Sequence, residues 1–441
     1  MKNKLEKFFS GKKVLILGFG REGRAWLNIL NSLNCDQAPD IAIASMAIDD
    51  YSMLKDIKTY VGSDYLNHCD GYDIILQSPG VIIKDFISDE NKAKITSQTD
   101  LLLRLCNNFI IGVTGTKGKS TTSSLIHHFL KANGKKSVLV GNIGIPPLEA
   151  ALSLSGDEII VCEMSCHQLE FAKASPNIAV LLNVFEEHLD HYIDFNAYKA
   201  AKENIYRHQT ENDILIINKD CADKTLNLLP QKKYLCAINK GADIFVDEEK
   251  KILSLPCFST SIKDIDTSLV GIHNYYNIAI SLFAALKVNC DIKVSLDSLK
   301  SFNPLEHRLE VFLKKDNVIF VNDSISTTPY ATIMAVKSFE NVDTLIIGGT
   351  ERNISYKVLV DFLNKGIVKN LIFLPDTGMR IAKEIKEANK FVAEDMHQAV
   401  DIAISVTKHC CILSPAAASY GFYKNFEERG NHFKRLVLEK T

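Results

Sequence analysis

Gly115-Thr116-Lys117-Gly118-Lys119-Ser120-Thr121 follows an apolar run at residues 109–113 and precedes a helix-like run at residues 121–132 that stops at Gly134. Strand, glycine loop and helix in that order aim backbone N–H groups and a helix N-terminus at a phosphate. In such a loop Lys119 reaches the terminal phosphates of a nucleotide, and the Ser120 hydroxyl holds Mg²⁺. The common form of the loop places a glycine five residues before Gly118. Val113 stands there, and the nearest glycine is Gly112, one place too early. The stretch therefore reads as a variant phosphate loop for a nucleoside triphosphate.

Around this loop, apolar β-branched runs alternate with helix-period stretches. Strands are expected at residues 13–17, 41–44, 74–76, 109–113, 137–140, 158–162, 178–183, 214–217, 318–321, 344–347, 371–374 and 410–413. Continuous apolar strands separated by helices predict parallel sheets covered on both faces. Breaks near residues 106–108 and at the Asn303-Pro304 step divide the chain into three α/β domains, 1–106, 107–302 and 303–441.

Composition restricts the function. The 441 residues are 46% hydrophobic and 24% charged with a formal net charge of −2, which gives no global attraction to nucleic acid or anionic membrane. No apolar stretch reaches membrane-spanning length, and the first eleven residues lack the apolar core of a secretory signal. Eleven scattered cysteines without a CxxC pair read as reduced thiols of a cytoplasmic protein. Cys162, Cys166, Cys410 and Cys411 sit in apolar contexts and are expected to be buried small hydrophobes.

A second glycine motif, Gly18-Phe19-Gly20-Arg21-Glu22-Gly23, follows the first strand and satisfies the dinucleotide pattern GxGxxG. An NAD oxidoreductase built on it needs an acidic residue at the end of the next strand, where Ser45 and Met46 stand. The pyrophosphate of another nucleotide can use the same helix N-terminus. Ser78, in Gln77-Ser78-Pro79-Gly80, is either a plain turn residue or faces the same ligand.

The middle stretch carries polar groups at expected strand ends, where open parallel sheets bind ligands. These are Gly141-Asn142-Ile143-Gly144, then Glu163 within Glu163-Met164-Ser165-Cys166-His167, then His188 within Asn183-Val184-Phe185-Glu186-Glu187-His188. Glu163 and His188 have the chemistry to hold a divalent metal beside phosphates. Helical spacing places Lys202 beside Tyr198 and Ile205, on the less polar face. A solvated lysine is the simpler reading. A desolvated one has a lowered pKa, takes up CO₂ as a carbamate and becomes an oxygen ligand for Mg²⁺. Asn274 falls in the first turn of a helix running to residue 286. Arg308, in His307-Arg308-Leu309-Glu310, is placed to stabilise phosphate charge across a domain closure, or is an ordinary strand-face charge.

In order and approximate spacing these motifs resemble the Mur ligase family over nearly the whole chain. Asn322-Asp323-Ser324 and the segment Ser414-Pro415-Ala416-Ala417-Ala418-Ser419-Tyr420 … Lys424-Asn425-Phe426-Glu427-Glu428-Arg429-Gly430 resemble its glutamate-adding branch. The resemblance implies a Rossmann-like UDP-binding domain, a central ATPase-type domain and a C-terminal Rossmann-like domain for glutamate. It implies ATP-dependent joining of glutamate to UDP-N-acetylmuramoyl-L-alanine through an acyl phosphate, in cytoplasmic peptidoglycan-precursor synthesis, with two Mg²⁺ ions and no obligatory protein partner.

Carried over residue by residue, the resemblance gives the catalytic roles to Lys119, Glu163, His188, Lys202 and Arg308. Residues 115–121, Asn274, Arg308 and Asp323 face the nucleotide, and Ser120, Glu163, His188 and carbamylated Lys202 face metal. The substrates fall to Gly20, Arg21, Glu22, Ser78, Asn142, Thr327, Arg352, Ser419, Tyr420 and Phe426. Three stretches depart from the family: Ile325 and Arg352 replace its usual lysines, and Ser165-Cys166-His167 replaces Ser-Ser-Phe. The first two leave L-glutamate as an alternative to D-glutamate. Folylpolyglutamate synthase shares the chemistry and the phosphate loop but lacks a UDP-binding domain. A nucleotide-dependent switch or transport ATPase leaves the segment 419–426 unexplained.

Overall fold

Three sheets form from the β-branched runs. The first is all parallel, in the spatial order Lys58–Val61, Asp40–Ser45, Lys13–Leu17, Ile74–Gln77 and Ile95–Thr96. The second has nine strands. It runs parallel from Ser137–Gly141 through Ile159–Glu163, Ile110–Thr114, Ile178–Leu181, Ile214–Asn218 and Lys232–Ile238 to Ile244–Asp247. Ile252–Leu255 and Phe258–Ser261 then extend it as an antiparallel ribbon. In the third, Glu310–Lys315 is an antiparallel edge on a parallel set made of Val318–Asn322, Cys410–Leu413, Val342–Gly349, Asn370–Asp376 and Asn389–Val392. This computed structural model describes residues 1–83, 87–143, 145–187, 191–303, 306–351 and 354–441, and only the backbone of Arg21.

The chain divides into two compact units, residues 1–266 with 276–299, and residues 267–275 with 300–441. The first unit holds two of the sheets, and one of its hydrophobic cores takes residues from both. Val14, Ile16 and Leu76 of the first sheet and Ile160, Leu181 and Ile217 of the second belong to it, together with Trp26, Leu101 and Leu102 from helices. In the second unit the sheet is covered on both faces, one core built around Leu345, Ile347, Leu371 and Leu359, the other around Ile346, Ile372, Phe433 and Val437. Cys162, Cys166, Cys410 and Cys411 are buried, as their apolar contexts imply.

Every strand expected from the apolar runs is present, shifted by a residue or two. The additional ones are short or half-exposed, at sheet edges in Lys58–Val61, Phe258–Ser261 and Asn389–Val392 and inside the second sheet in Lys232–Ile238 and Ile244–Asp247. Edge strands expose one face and lack the continuous apolar run that marks a buried strand. Among the described residues no helix is long and apolar enough to cross a membrane.

Gly112 belongs to the strand Ile110–Thr114 and not to the phosphate loop. A Cβ at this position would lie 2.6 Å from Pro176 Cγ and 3.0 Å from Met164 Cε, so glycine lets that chain cross the sheet face. Gly112→Ala should lower the unfolding free energy by about 1–3 kcal/mol, the usual cost of overpacking. Urea titration of the two proteins measures it, and equal stability would show that Pro176 yields without cost.

Candidate active site

The phosphate loop leaves its strand at Thr114 and enters the helix Lys119–Ala132 through Gly118, whose φ of 88° suits glycine. A Cβ on Gly118 would also lie 2.8 Å from Asn277 Oδ1. Lys119 is the first helical residue, and its Nζ donates to the carbonyls of Gly115 at 3.0 Å and Thr116 at 3.1 Å. Ser120 and Thr121 are buried in the first turn. Thr116 Oγ1 accepts from Phe185 N–H at 3.0 Å and lies 2.9 Å from Tyr198 Oη. The Lys117 ammonium pairs with Glu187 at 2.8 Å.

Lys202 is brought to this loop by the helix Phe195–Arg207. It is 1% exposed, and its Nζ donates to Gly115 O at 2.9 Å over the Tyr198 ring. The solvated reading of this lysine is thus overturned: the face it shares with Tyr198 and Ile205 is core. Burial, and next the charge of Lys119, lower its pKa to about 8.

Glu163 ends the strand Ile159–Glu163, fully buried. Its Oε1 accepts from Asn142 Nδ2 at 3.0 Å, and its backbone carbonyl accepts from Asn142 N–H at 3.0 Å. Gly141, with φ 108°, permits this crossing, since a Cβ there would sit 2.1 Å from Glu163 O. Oε2 of Glu163 is buried and meets no hydrogen-bond partner among the described residues. A buried carboxylate oxygen is costly unless a donor or cation meets it, so this residue fits a hard cation such as Mg²⁺. His188 and Arg352, both expected site residues, lie outside the described residues, as do Gly144 and the Arg21 side chain.

In the first sheet Gly20 caps the helix Arg21–Ser32, which also carries Glu22 in its first turn. Ser78 Oγ donates to Gly18 O at 2.8 Å, tying its turn to the glycine loop. Ser45, standing where a dinucleotide site needs an acid, accepts Phe19 N–H at 3.2 Å.

The second unit gathers another group. His307 and Leu309 have positive φ values of 64° and 47°, so Arg308 sits on a strained turn and not on the strand, which starts at Glu310. Leu309 N–H donates to Asp323 Oδ1 at 3.2 Å, and Ser414 Oγ donates to Asp323 Oδ2 at 2.8 Å. Burial raises the Asp323 pKa to about 6, against hydrogen bonds from Ser326 and Ser414 that lower it. Arg308 Nε is buried with no acceptor among the described residues. Burial, with Arg308 adding its charge, lowers the His273 pKa to about 4. Asn274 is buried and donates to Val270 O at 2.7 Å. Thr327 and Phe426 are half-buried, Ser419 is buried and Tyr420 is mostly exposed.

The residue that sequence reasoning missed here is Arg429. It is 1% exposed, with burial lowering its pKa to about 10. It donates to Ser324 Oγ at 3.0 Å, Ser324 O at 2.8 Å, Ala417 O at 3.1 Å and Ala418 O at 3.1 Å. Ser324 Oγ in turn donates to Phe426 O at 2.8 Å. One guanidinium thus ties together three segments that carry expected substrate residues. The signal was its spacing: Arg429, Phe433, Leu436 and Val437 form one buried stripe on the helix Phe426–Lys440.

The model of the Mur ligase middle domain matches residues 113–285. The chain is 30% identical to the UDP-N-acetylmuramoylalanine–D-glutamate ligase of Clostridium tetani, over 99% of this chain and 98% of that protein. It is 33% identical to the ligase of the same name from Clostridioides difficile, over 97% and 98%. Its fold is similar to that of the MurF ligase from Thermotoga maritima in complex with ADP, with a TM-score of 0.60, 19% identity and coverage of 99% and 97%. A similar likeness holds for the UDP-N-acetylmuramate-alanine ligase MurC of Thermotoga maritima, with a TM-score of 0.60, 17% identity and coverage of 97% and 99%.

The raised pKa of Asp323 has a stability consequence. A carboxyl group whose folded pKa lies above its unfolded value contributes stability below pH 4 that is lost as pH rises through about 6. Asp323→Asn removes that loss. Its unfolding free energy relative to the parent should shift in its favour by up to about 3 kcal/mol between pH 4 and pH 7. Urea denaturation across that range measures the difference, and a pH-independent difference would show that Asp323 ionises normally.

Proposed function

The chain belongs to the Mur ligase family, and we propose that it joins D-glutamate to UDP-N-acetylmuramoyl-L-alanine with conversion of ATP to ADP and phosphate, as a cytoplasmic step of peptidoglycan-precursor synthesis. Similarity along the whole length of ligases bearing that name supports the choice of substrates. The observation that carries the chemistry is the convergence of Lys119 and buried Lys202 on Gly115 O, at the N-terminus of a helix. We assign residues 1–106 to UDP, 107–302 to ATP and 303–441 to glutamate.

In this reading Lys119 leaves the loop carbonyls for the terminal phosphate, and the first helical turn cradles the phosphates. Ser120 and Glu163 are the residues that would hold one Mg²⁺, and His188 with carbamylated Lys202 a second; Mg²⁺ neutralises charge on the transferring phosphoryl group. The muramoyl-alanine carboxylate attacks the γ-phosphorus, releasing ADP and forming an acyl phosphate. The neutral amine of glutamate then attacks the acyl carbon, and the tetrahedral intermediate expels phosphate. Asn142 orients the first substrate beside Glu163, and Gly20, Arg21, Glu22 and Ser78 hold its UDP. Asn274, Arg308 and Asp323 serve the nucleotide. Thr327, Arg352, Ser419, Tyr420 and Phe426 receive the glutamate.

Carbamylation of Lys202 starts from the neutral amine, which bonds to CO₂ and releases one proton. A pKa near 8 makes that form accessible at neutral pH, and its anion removes the repulsion from Lys119.

Two measurements test this reading. ADP release should require UDP-N-acetylmuramoyl-L-alanine and D-glutamate together, with L-glutamate inactive; no turnover with either isomer overturns the assignment, and turnover with L-glutamate alone corrects the substrate. Lys202→Ala should lose nearly all activity and regain part of it with added short-chain carboxylic acids. Full activity without rescue would remove the carbamate.

A further inference from the structure

We propose that Asn183 is a positioning residue for the nucleotide, a clamp that shapes the phosphate loop in place of the glycine missing at position 113. The proposal rests on the reading of residues 115–121 as the ATP loop. Asn183 follows the strand Ile178–Leu181 and turns its polar groups onto two successive loop residues. Its backbone carbonyl accepts Thr116 N–H at 2.9 Å. Its Oδ1 accepts Lys117 N–H at 2.8 Å, and its Nδ2 donates to Lys117 O at 3.0 Å. The amide therefore holds both sides of Lys117 at once, and neither end of it is spent on its own strand.

The reason lies in the strand before the loop. Val113 is fully buried and pairs with Glu163, so the chain is still extended where the common loop already bends at a glycine. The turn is deferred to Gly115, where a Cβ would meet Leu182 Cβ at 2.9 Å and Asn183 N at 3.3 Å. Close contact with the neighbouring strand end, made by Asn183, then fixes the curvature. The clamp also selects which donors face the phosphates. Thr116 and Lys117 spend their N–H groups on Asn183, while α-helical geometry leaves those of the first turn for an acceptor beyond the helix. Glu187, four residues after Asn183, receives the Lys117 ammonium at 2.8 Å, so both ends of Lys117 are held from one segment.

The test is calorimetric titration of the full-length protein with ADP and Mg²⁺, beside steady-state kinetics. Asn183→Ala should weaken ADP binding by about tenfold, as for the loss of two net hydrogen bonds. The KM for glutamate and the thermal midpoint without nucleotide should stay near the parent's. Asn183→Ser keeps a neutral hydroxyl beside Lys117 and adds no charge to the loop, so its ADP affinity should fall between the two. If the alanine variant does not fold, the serine variant decides by the same measure. Parent-like ADP affinity in the deciding variant, whether or not its thermal midpoint falls, overturns the clamp. A parent protein that binds no ADP overturns the nucleotide reading beneath it as well.

Discussion

The carbonyl oxygen of Gly115 accepts from two ammonium groups, Lys119 at 3.0 Å and Lys202 at 2.9 Å. Two unit charges about 4 Å apart repel by about 4 kcal/mol at the effective dielectric of a protein's outer layers. A fold that brings them together must hold them there by other means. One means is packing: the helix face that Lys202 shares with Tyr198 and Ile205 is buried, and the Lys202 ammonium lies over the Tyr198 ring. Another is titration, since the lowered pKa of Lys202 lets one positive charge leave. The third is negative charge, supplied by phosphate or by a carbamate. The electrostatics of the loop thus favour anion binding before any substrate is named.

Three glycines show how the backbone makes room for this arrangement. Gly141 lets the chain pass the Glu163 carbonyl, which places Asn142 on the Glu163 carboxylate. Gly118 turns the loop into its helix against Asn277. In the second unit a Cβ on Gly430 would lie 2.2 Å from His307 Nδ1 and 2.9 Å from Asn322, so the helix carrying Arg429 can lie against the turn that carries Arg308. In each case a side chain that matters chemically is set by a place where a side chain is missing.

The parallel sheets were legible because a strand buried on both faces must be a continuous apolar run, as in Ile74–Gln77 and Cys410–Leu413. The phosphate loop was legible because its glycines are required by backbone geometry. The turn at His307–Leu309 was not, because positive φ at histidine and leucine leaves no mark in composition. Lys202 and Arg429 show a different limit. Both lie on apolar helical stripes, but the prior for a charged side chain favours solvent, and only the packed structure shows which residues lie across from them. Gly112, one residue before the place where the common loop has its glycine, serves a different need, a close crossing with Pro176.

The buried charges of the second unit argue for function over stability. Arg429 bonds to one hydroxyl and three carbonyl oxygens, neutral acceptors that offset only part of the cost of taking a guanidinium out of water. Asp323 is buried at a raised pKa although Ser326, Ser414 and Leu309 donate to it and the charge of Arg308 favours its ionised form. Hydrophobic replacements of similar size would cost the fold less at either place. What such replacements could not do is fix several loops in one geometry through directional bonds. Arg429 fixes Ser324, Ala417, Ala418 and, through Ser324, Phe426. Asp323 fixes Leu309 beside Arg308 and Ser414 at the end of the neighbouring strand. The precision those bonds give falls on the segments that flank Thr327, Ser419 and Arg308, and a fold selected for stability alone would have no need of it there.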